Sequence, residues 1–479
     1  MTEKHIILKG TFVLTLAAFI SRFLGFFYRM YLSHTFGEAN VGLYQLIFPV
    51  YTLGIAITCA GIQTALSRHV AGYVAKGKKK ETELLLFTSM IYTVFLSVIL
   101  MLFTQHYAHD IACTLLKEPA CKSLLLLLSY CFPFAAIHCC ILGYYFGMKQ
   151  AKIPAWSQLL EQSVRILSVY AVYSFGIRHG QHFSVSVAVL GMIAGEAAAA
   201  WYCLHSLNSY SETLSSRKST DILFLRRLCC LDNLKAFLSL LRFSIPLTVS
   251  RIMLTLLQCL EAFSIPWNLQ YYGLDRNESL RIYGVLTGMA LPCVLFPSAL
   301  TGSLATMILP SVAQIEAENN IRKLRRLIRK VTTTCILLGS TCCILLLLSS
   351  SFIGVCLFHS PLASRYIFTL AWICPFLYTN TTFISILNGI GKAGISLFIN
   401  MFTILIRIAS IYLSIPAYGI RGYRSAGSLP CRLFLSLFRF PAERPYLFHL
   451  SALSLQIQCE PKNSWAHIAF QENTDSKQN

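Results

Sequence analysis

The sequence predicts an all-α polytopic membrane protein built from two related halves, with about eleven spans present. Three observations carry this prediction. Only 13% of the 479 residues are charged and 55% are hydrophobic, whereas soluble domains carry roughly 25% charged residues. The apolar residues fall into continuous runs of roughly 20, the length that crosses the hydrocarbon core as a helix. The runs do not alternate with a period of two, as a membrane β-barrel would require, and a helix satisfies its own backbone polar groups inside lipid.

The predicted spans cover 9–33, 41–67, 84–106, 122–147, 155–177, 184–207, 238–263, 282–308, 331–357, 366–388 and 393–416. The first is long, carries two arginines and lacks a small-residue cleavage site, so it reads as a span rather than a cleaved signal. The second contains Pro49, and the eighth contains Pro292 and Pro297. Such breaks are tolerated where neighbours or a cavity satisfy the backbone, which makes these three prolines hinge candidates. Most of the 18 cysteines lie inside apolar runs, where free cysteine packs as a small hydrophobe.

The net charge of +20 sits in short loops, where it reports topology rather than nucleic-acid binding. One set of loops holds clusters such as Lys78 to Lys80 and Arg322, Lys323, Arg325, Arg326, Arg329 and Lys330. The opposite set holds only Lys117, Lys122, Arg178, Arg276, Arg281 and Arg365. The positive-inside bias therefore predicts a multi-pass membrane protein with a cytoplasmic N-terminus.

The two halves repeat. Cys131-Phe-Pro133-Phe134 corresponds to Ile373-Cys-Pro375-Phe376, and the same 242-residue offset carries Gly147 to Gly389, Arg165 to Arg407, Tyr170 to Tyr412 and Gly42 to Gly284. Ser21-Arg22 and Ser250-Arg251 correspond at a different offset. Six helices separate equivalent positions, an even number, so the repeat is parallel, with a pseudo-twofold axis along the membrane normal. The expected organisation is an N-terminal six-helix lobe over 1–207, a cytoplasmic linker over 208–237, and a C-terminal lobe over 238–423 with five helices present. A sixth helix is due after Tyr423. Residues 424–479 instead bring Arg432, Arg439, Pro441, Arg444 and Pro445. The expectation is a shifted reading frame or truncation in this tail; the alternative is an amphipathic tail at the interface.

Charges within spans are costly and mark cavities or partners. Arg22 and Arg29 are seven residues apart and share one face of the first helix. With Arg251, Arg165 and Arg407 they make a candidate anion site, because guanidinium grips phosphate oxygens in bidentate fashion and keeps its charge when desolvated. The bland reading is snorkelling toward a headgroup layer. Glu161 lies one turn from Arg165 and could simply neutralise it; at the equivalent place near Arg407 stands Thr403. Glu161 and Glu196 are candidate proton or cation coupling groups, with a structural hydrogen-bonding role as the alternative for Glu196. His106, His109 and Asp110 fall at an outer loop with no second ligand cluster, so no metal site and no cofactor is expected. Gly389-Ile-Gly391-Lys-Ala-Gly394 matches the dinucleotide fingerprint, but no strand precedes it, and it reads as a tight turn. The sequence holds no Walker A run, nucleophile elbow or zinc spacing, and it is not expected to be an enzyme.

Lys9-Gly10-Thr11-Phe12 with Ser21-Arg22-Phe-Leu-Gly25-Phe-Phe-Tyr-Arg29 resembles the first helix of stage V sporulation protein B-like flippases. Gly42-Leu-Tyr44, Pro49 and Gly61-Ile-Gln-Thr-Ala-Leu-Ser67-Arg68 resemble their second, and Leu387-Asn-Gly389-Ile-Gly391-Lys392 resembles the turn after their tenth. The likeness covers about 5–423. These proteins belong to the multidrug/oligosaccharidyl-lipid/polysaccharide (MATE-like) exporter superfamily, which includes the lipid II flippases. The resemblance implies two lobes around a central cavity, twelve to fourteen helices, and translocation of polyprenyl-pyrophosphate-linked sugars for cell-wall, peptidoglycan or polysaccharide assembly. It implies that Arg22 and Arg29 line a cationic cavity, a role that reaches Arg251 only through the repeat. Its implied partners are a lipid-linked sugar, membrane lipids and cell-wall synthesis enzymes. Rival readings are a cation-coupled multidrug antiporter of the same fold, which would favour intramembrane carboxylates over arginines; a membrane glycosyltransferase, which would need larger outer loops; and a non-transporting scaffold.

Overall fold

The computed structural model describes residues 3–178, 184–214, 231–298 and 320–420, with scattered positions between 301 and 318. Every regular element among the described residues is helical. In chain order these are α1 (Glu3–Phe36), α2 (Glu38–Ala75), α3 (Lys79–His106), α4 (Cys121–Leu128), α5 (Cys131–Gly147), α6 (Lys152–Arg178) and α7 (Ser186–Leu214). The second half contributes α8 (Leu231–Tyr271), α9 (Arg276–Gly284), α10 (Leu291–Leu295), α11 (Ile321–Ser351), α12 (Pro361–Ala371), α13 (Cys374–Gly389) and α14 (Ala393–Tyr418).

Ten of the eleven predicted spans fall on one of these helices or on a bent pair; the eighth, 282–308, runs over the end of α9, a π turn and α10 into residues that are only partly described. Among the described residues, seven helices are long and apolar enough to cross a membrane, and the pairs α4–α5 and α12–α13 bring the number to nine. The two predicted spans outside that number are α6, which carries Glu161 and Arg165 mid-helix, and the α9–α10 segment, which a π turn at Val285–Ala290 divides. The outward faces are apolar: Leu348 is 79% exposed and Leu413 77%. Side chains of that kind need hydrocarbon around them, as a lipid-facing surface does. The expected linker boundaries lie inside helices, since α7 continues to Leu214 and α8 begins at Leu231. Residues 215–230 and the tail 424–479 lie outside the described residues.

The repeat extends from sequence to shape. A π turn at Ile111–Leu115 recurs at Phe352–Leu357, and α5 recurs as α13, all displaced by 241–243 residues. The bend ahead of each of those helices recurs as well, at 42° and 57°. Pro133 and Pro375 stand in the first turn after the bend, where proline's missing N–H costs no helical bond. The fingerprint-like glycines form the turn between α13 and α14, with Gly391 at φ +80°, a conformation that glycine adopts without strain.

The halves meet along α2 and α9. A Cβ on Gly42 would collide with the Leu280 carbonyl, and one on Gly284 with the backbone of Glu38 and Gly42. Two glycines related by the repeat offset thus let the helix backbones touch, as small residues do between membrane helices. Polar contacts between the halves ring the same end. Glu38 accepts from Arg281 Nε at 2.5 Å, and Glu118 pairs with Arg276 at 2.5 Å. His34 and His359 share a hydrogen bond at 2.7 Å, and Lys117 lies 3.3 Å over the Trp267 ring. This end of the bundle is closed.

Candidate functional site: an arginine-lined cavity

Away from the closed end, a cavity of about 530 Å³ opens between the two halves. That volume falls in the range of ordinary small-ligand sites. Helix α1 supplies Ser21, Arg22, Phe26 and Arg29; α2 supplies Tyr44, Gln45 and Phe48; α6 supplies Gln162 and Arg165. The opposite wall is Thr287, Leu291, Pro292, Leu295, Phe296 and Ser298. The seven-residue spacing on α1 aims Arg22 and Arg29 into one space, as helical geometry requires.

The three arginines are held differently. Arg22 is exposed and donates from Nη1 to Ser298 Oγ at 3.1 Å. Arg29 is half-buried, with Nη1 3.4 Å from the Thr287 carbonyl. That carbonyl belongs to the π turn before α10, where the helical ladder is widened and backbone oxygens become available to side chains. Arg165 is bonded to Glu161 one turn earlier on α6, and its Nε is buried without an acceptor. Three cations therefore converge on one pocket, and the carboxylate that balances Arg165 stands behind it rather than inside. The aromatic rings of Phe26, Phe48 and Phe296 give the same pocket apolar walls.

Behind Arg165 lies a buried polar cluster. Glu196 of α7, 6% exposed, accepts from Tyr51 Oη at 2.5 Å and faces His138 Nδ1 at 3.3 Å. His138 Nε2 lies 3.2 Å from Ser157 Oγ, whose own proton goes to the Pro154 carbonyl at 3.0 Å. Ser157 Oγ must therefore accept from Nε2–H. A hydroxyl has a single proton to give, so the His138–Glu196 contact needs a further proton on one side or the other. Either the ring is doubly protonated or the carboxyl is neutral. The ligand atoms of His138, Glu161 and Glu196 lie within 4.8 Å of one another. Arg165 already holds Glu161, while Tyr51 and His138 hold the two oxygens of Glu196. Each of the three residues thus already has a protein partner, and the His138–Glu196 contact holds the further proton.

Of the predicted site residues, the cavity brings together Arg22, Arg29 and Arg165, and the cluster brings together Glu161 and Glu196. Arg251 is exposed on α8 and does not line the cavity. Arg407 does not line it either. The absence of a local partner at Thr403 is made good by Glu261 of α8, which binds the Arg407 guanidinium. Among the hinge candidates, Pro292 lines the cavity just after the π turn, and Pro297 sits in the turn that follows α10. The Pro49 carbonyl, on α2, accepts from Thr52 at 2.9 Å and from Cys259 Sγ at 3.2 Å. Sequence reasoning missed Tyr51, His138, Ser157 and Glu261. His138 and Glu261 were findable as ionisable residues inside spans.

A family model described as polysaccharide biosynthesis protein matches residues 7–316. The chain is 31% identical over 311 residues to Stage V sporulation protein B of Bacillus subtilis (strain 168), covering 65% of this chain and 59% of that protein. It is 26% identical over 204 residues to Lipid II flippase MurJ of the same organism, covering 40% and 38%. The chain thus spans under two thirds of the length of each of these relatives. Among solved structures, an inward-facing multidrug resistance MATE family transporter of the MOP superfamily superposes with a TM-score of 0.67 at 14% identity, covering 90% of this chain and 96% of that one. Lipid II flippase MurJ in an inward closed conformation gives 0.66 at 13% identity, with 96% of both chains covered. These two likenesses establish the fold, a polytopic helical bundle. The family match over 310 residues adds descent: the chain belongs to the polysaccharide biosynthesis protein family.

Proposed function

We propose that this chain is a flippase or exporter, not an enzyme, and that it moves polyprenyl-pyrophosphate-linked sugar precursors across the bacterial cytoplasmic membrane by alternating access. The observation that carries the reading is the convergence of Arg22, Arg29 and Arg165 on one cavity between the two halves. A diphosphate offers several anionic oxygens, and guanidinium groups bind such oxygens in bidentate fashion. The aromatic walls suit the sugar and the first isoprene carbons, while the lipid tail stays in the bilayer between the lobes. The cytoplasmic N-terminus, the two lobes over 1–207 and 238–423, and the hinge roles of Pro49, Pro292 and Pro297 belong to the same proposal. Closure at the Gly42–Gly284 end supports it, since alternating access needs one end shut while the other loads. Names of relatives that contain lipid II flippase or Stage V sporulation protein B favour a cell-wall precursor as cargo.

The test is lipid II translocation in cells depleted of their own flippases. Rescue by the wild-type chain, and its loss in Arg22→Ala and Arg29→Ala variants that still insert in the membrane, is the expected result. Unchanged rescue by both variants would overturn the anion cavity. A cation-coupled multidrug antiporter is the second reading, favoured by the buried His138, Glu161 and Glu196 cluster. Efflux of cationic dyes that survives loss of the arginines and fails in Glu196→Gln would select it.

A further inference from the structure

Arg165 belongs to two sites at once. Its guanidinium lines the cavity, and it is also the counter-ion of Glu161. The side chains of the pair are 14% and 18% exposed, so neither charge has much water to fall back on. The Arg165 Nε is in addition a buried donor without an acceptor.

We infer that Arg165 couples cargo to protons: an anion entering the cavity draws Arg165 away from Glu161, and Glu161 takes up a proton in exchange. This rests on the diphosphate-cavity reading above and adds to it the sign of a linkage. The reasoning is an inventory of charge. At rest the cluster consists of two balanced pairs, Glu161 with Arg165 and Glu196 with His138. When a diphosphate shares or takes the Arg165 guanidinium, Glu161 becomes a desolvated carboxylate with another carboxyl group, that of Glu196, within 4.8 Å. An unpaired buried charge is costly, and a carboxylate in that position escapes the cost by binding a proton.

The groups that face Glu161 offer no cation that is not already paired. From α5 comes His138, already engaged by Glu196 and Ser157, and Cys131; from α7 comes Glu196; from α2 comes Tyr51, which donates to Glu196. Across the cavity, α1 contributes Arg29, whose Nη1 lies 3.4 Å from the Thr287 carbonyl. The bond change is simple and balanced. The Arg165–Glu161 hydrogen bond breaks, an Arg165–phosphate hydrogen bond forms, and one proton passes from solvent to a Glu161 oxygen. Linkage is reciprocal. Acid therefore tightens anion binding, and anion binding takes up a proton. A proton bound with the cargo anion at the cytoplasmic face leaves with it, so the linkage offsets the charge of the cargo and does not itself drive export.

The test uses the full chain in lipid nanodiscs with farnesyl diphosphate as the probe, in sodium-free medium. Calorimetric titration in two buffers of different ionisation heat gives the protons taken up on binding. The probe's own titration is common to all proteins, so the difference between wild type and Glu161→Gln isolates the carboxyl. The expected results are an uptake larger in wild type, by up to one proton, and an affinity ratio between the two proteins that changes with pH by up to about tenfold per unit. Glu161→Gln should bind more tightly than wild type at alkaline pH and converge with it in acid. Infrared difference spectra of wild type alone, with and without the probe, keep the idea testable if the variant does not fold: a protonated-carboxyl band should appear on binding. Equal proton uptake in both proteins, absence of that band, or affinity that follows sodium instead of pH would overturn the linkage while leaving the cavity reading intact. No binding of the probe to wild type, at any pH, would overturn the cavity reading and the linkage with it.

Discussion

Arg165 and Arg407 are the same residue of the repeat, 242 positions apart, and each is neutralised by a glutamate, yet only one of them faces the cavity. In the first half the carboxylate is Glu161, one turn away on the same helix. In the second half it is Glu261, supplied by α8 from across a helix interface. The difference is mechanical. A partner on the same helix travels with its arginine and leaves the guanidinium's far side open to the cavity. A partner on a neighbouring helix ties α14 to α8, so Arg407 serves as a strut. The repeat has kept the backbone and the arginine and has moved the counter-ion, and the cationic wall is consequently one-sided: α1 and α6 against neutral residues of the π turn at Val285–Ala290 and of α10.

That asymmetry can be broken most directly by transport. Arg29→Ala and Arg165→Ala should each lower translocation by roughly ten- to a hundredfold, the worth of one hydrogen bond to a charged group at about 1.5–3 kcal/mol. Arg407→Ala should lower it less than about threefold at matched expression, because that side chain does not line the cavity. Equal losses at 165 and 407 in the rescue assay would mean that the two halves share the cargo symmetrically.

Stability should rank the same pair the other way round. Glu261 is buried, with a side chain 9% exposed, while that of Arg407 is 36% exposed. Arg407→Ala strands a carboxylate between helices, and loss of one partner of a buried pair is strongly destabilising. Glu261→Gln leaves behind a guanidinium with access to its surroundings. Thermal unfolding in detergent should therefore place Arg407→Ala several degrees below Glu261→Gln, with Glu261→Leu combined with Arg407→Leu recovering most of the loss. A double variant no better than Arg407→Ala would show that the pair is not a strut between α8 and α14.

The helices were legible because a membrane span is written in consecutive residues, and the repeat was legible because proline, glycine and arginine landmarks survive in it. The cavity arginines of α1 were legible through their seven-residue spacing, and Glu161 with Arg165 through the i, i+4 rule. What the sequence could not give is the rotation of one helix against another. Arg251 aligns with Arg22, but α1 and α8 correspond at an offset other than 242, so the alignment fixes no helical phase, and Arg251 lies outside the cavity. Glu261 and Arg407 are 146 residues apart, and nothing local in either segment announces the pair. The same holds for Tyr51, His138 and Glu196, which three helices bring together.

The smallest effects concern the closed end, where backbone packing and ion pairs can be compared. Gly42 and Gly284 bring two helix backbones into contact, so Gly42→Ala must push α2 away from α9, while Gly72→Ala, with open space around its Cβ, should be neutral. Gly42→Ala should raise labelling, by a membrane-impermeant maleimide, of a cysteine introduced at Ser279, which is buried on α9 and leaves the Glu38–Arg281 pair in place. Arg281→Ala removes an ion pair whose arginine side chain is 44% exposed, and exposed pairs are worth about 0–1 kcal/mol. Its effect on labelling should be smaller than that of Gly42→Ala. Salt should discriminate further: screening weakens the Arg281 contacts but leaves a steric contact untouched, so high ionic strength should mimic Arg281→Ala and not Gly42→Ala. If salt alone opened the closed end as far as Gly42→Ala does, the seal would be electrostatic, and the glycine contact would be a consequence of closure rather than its cause.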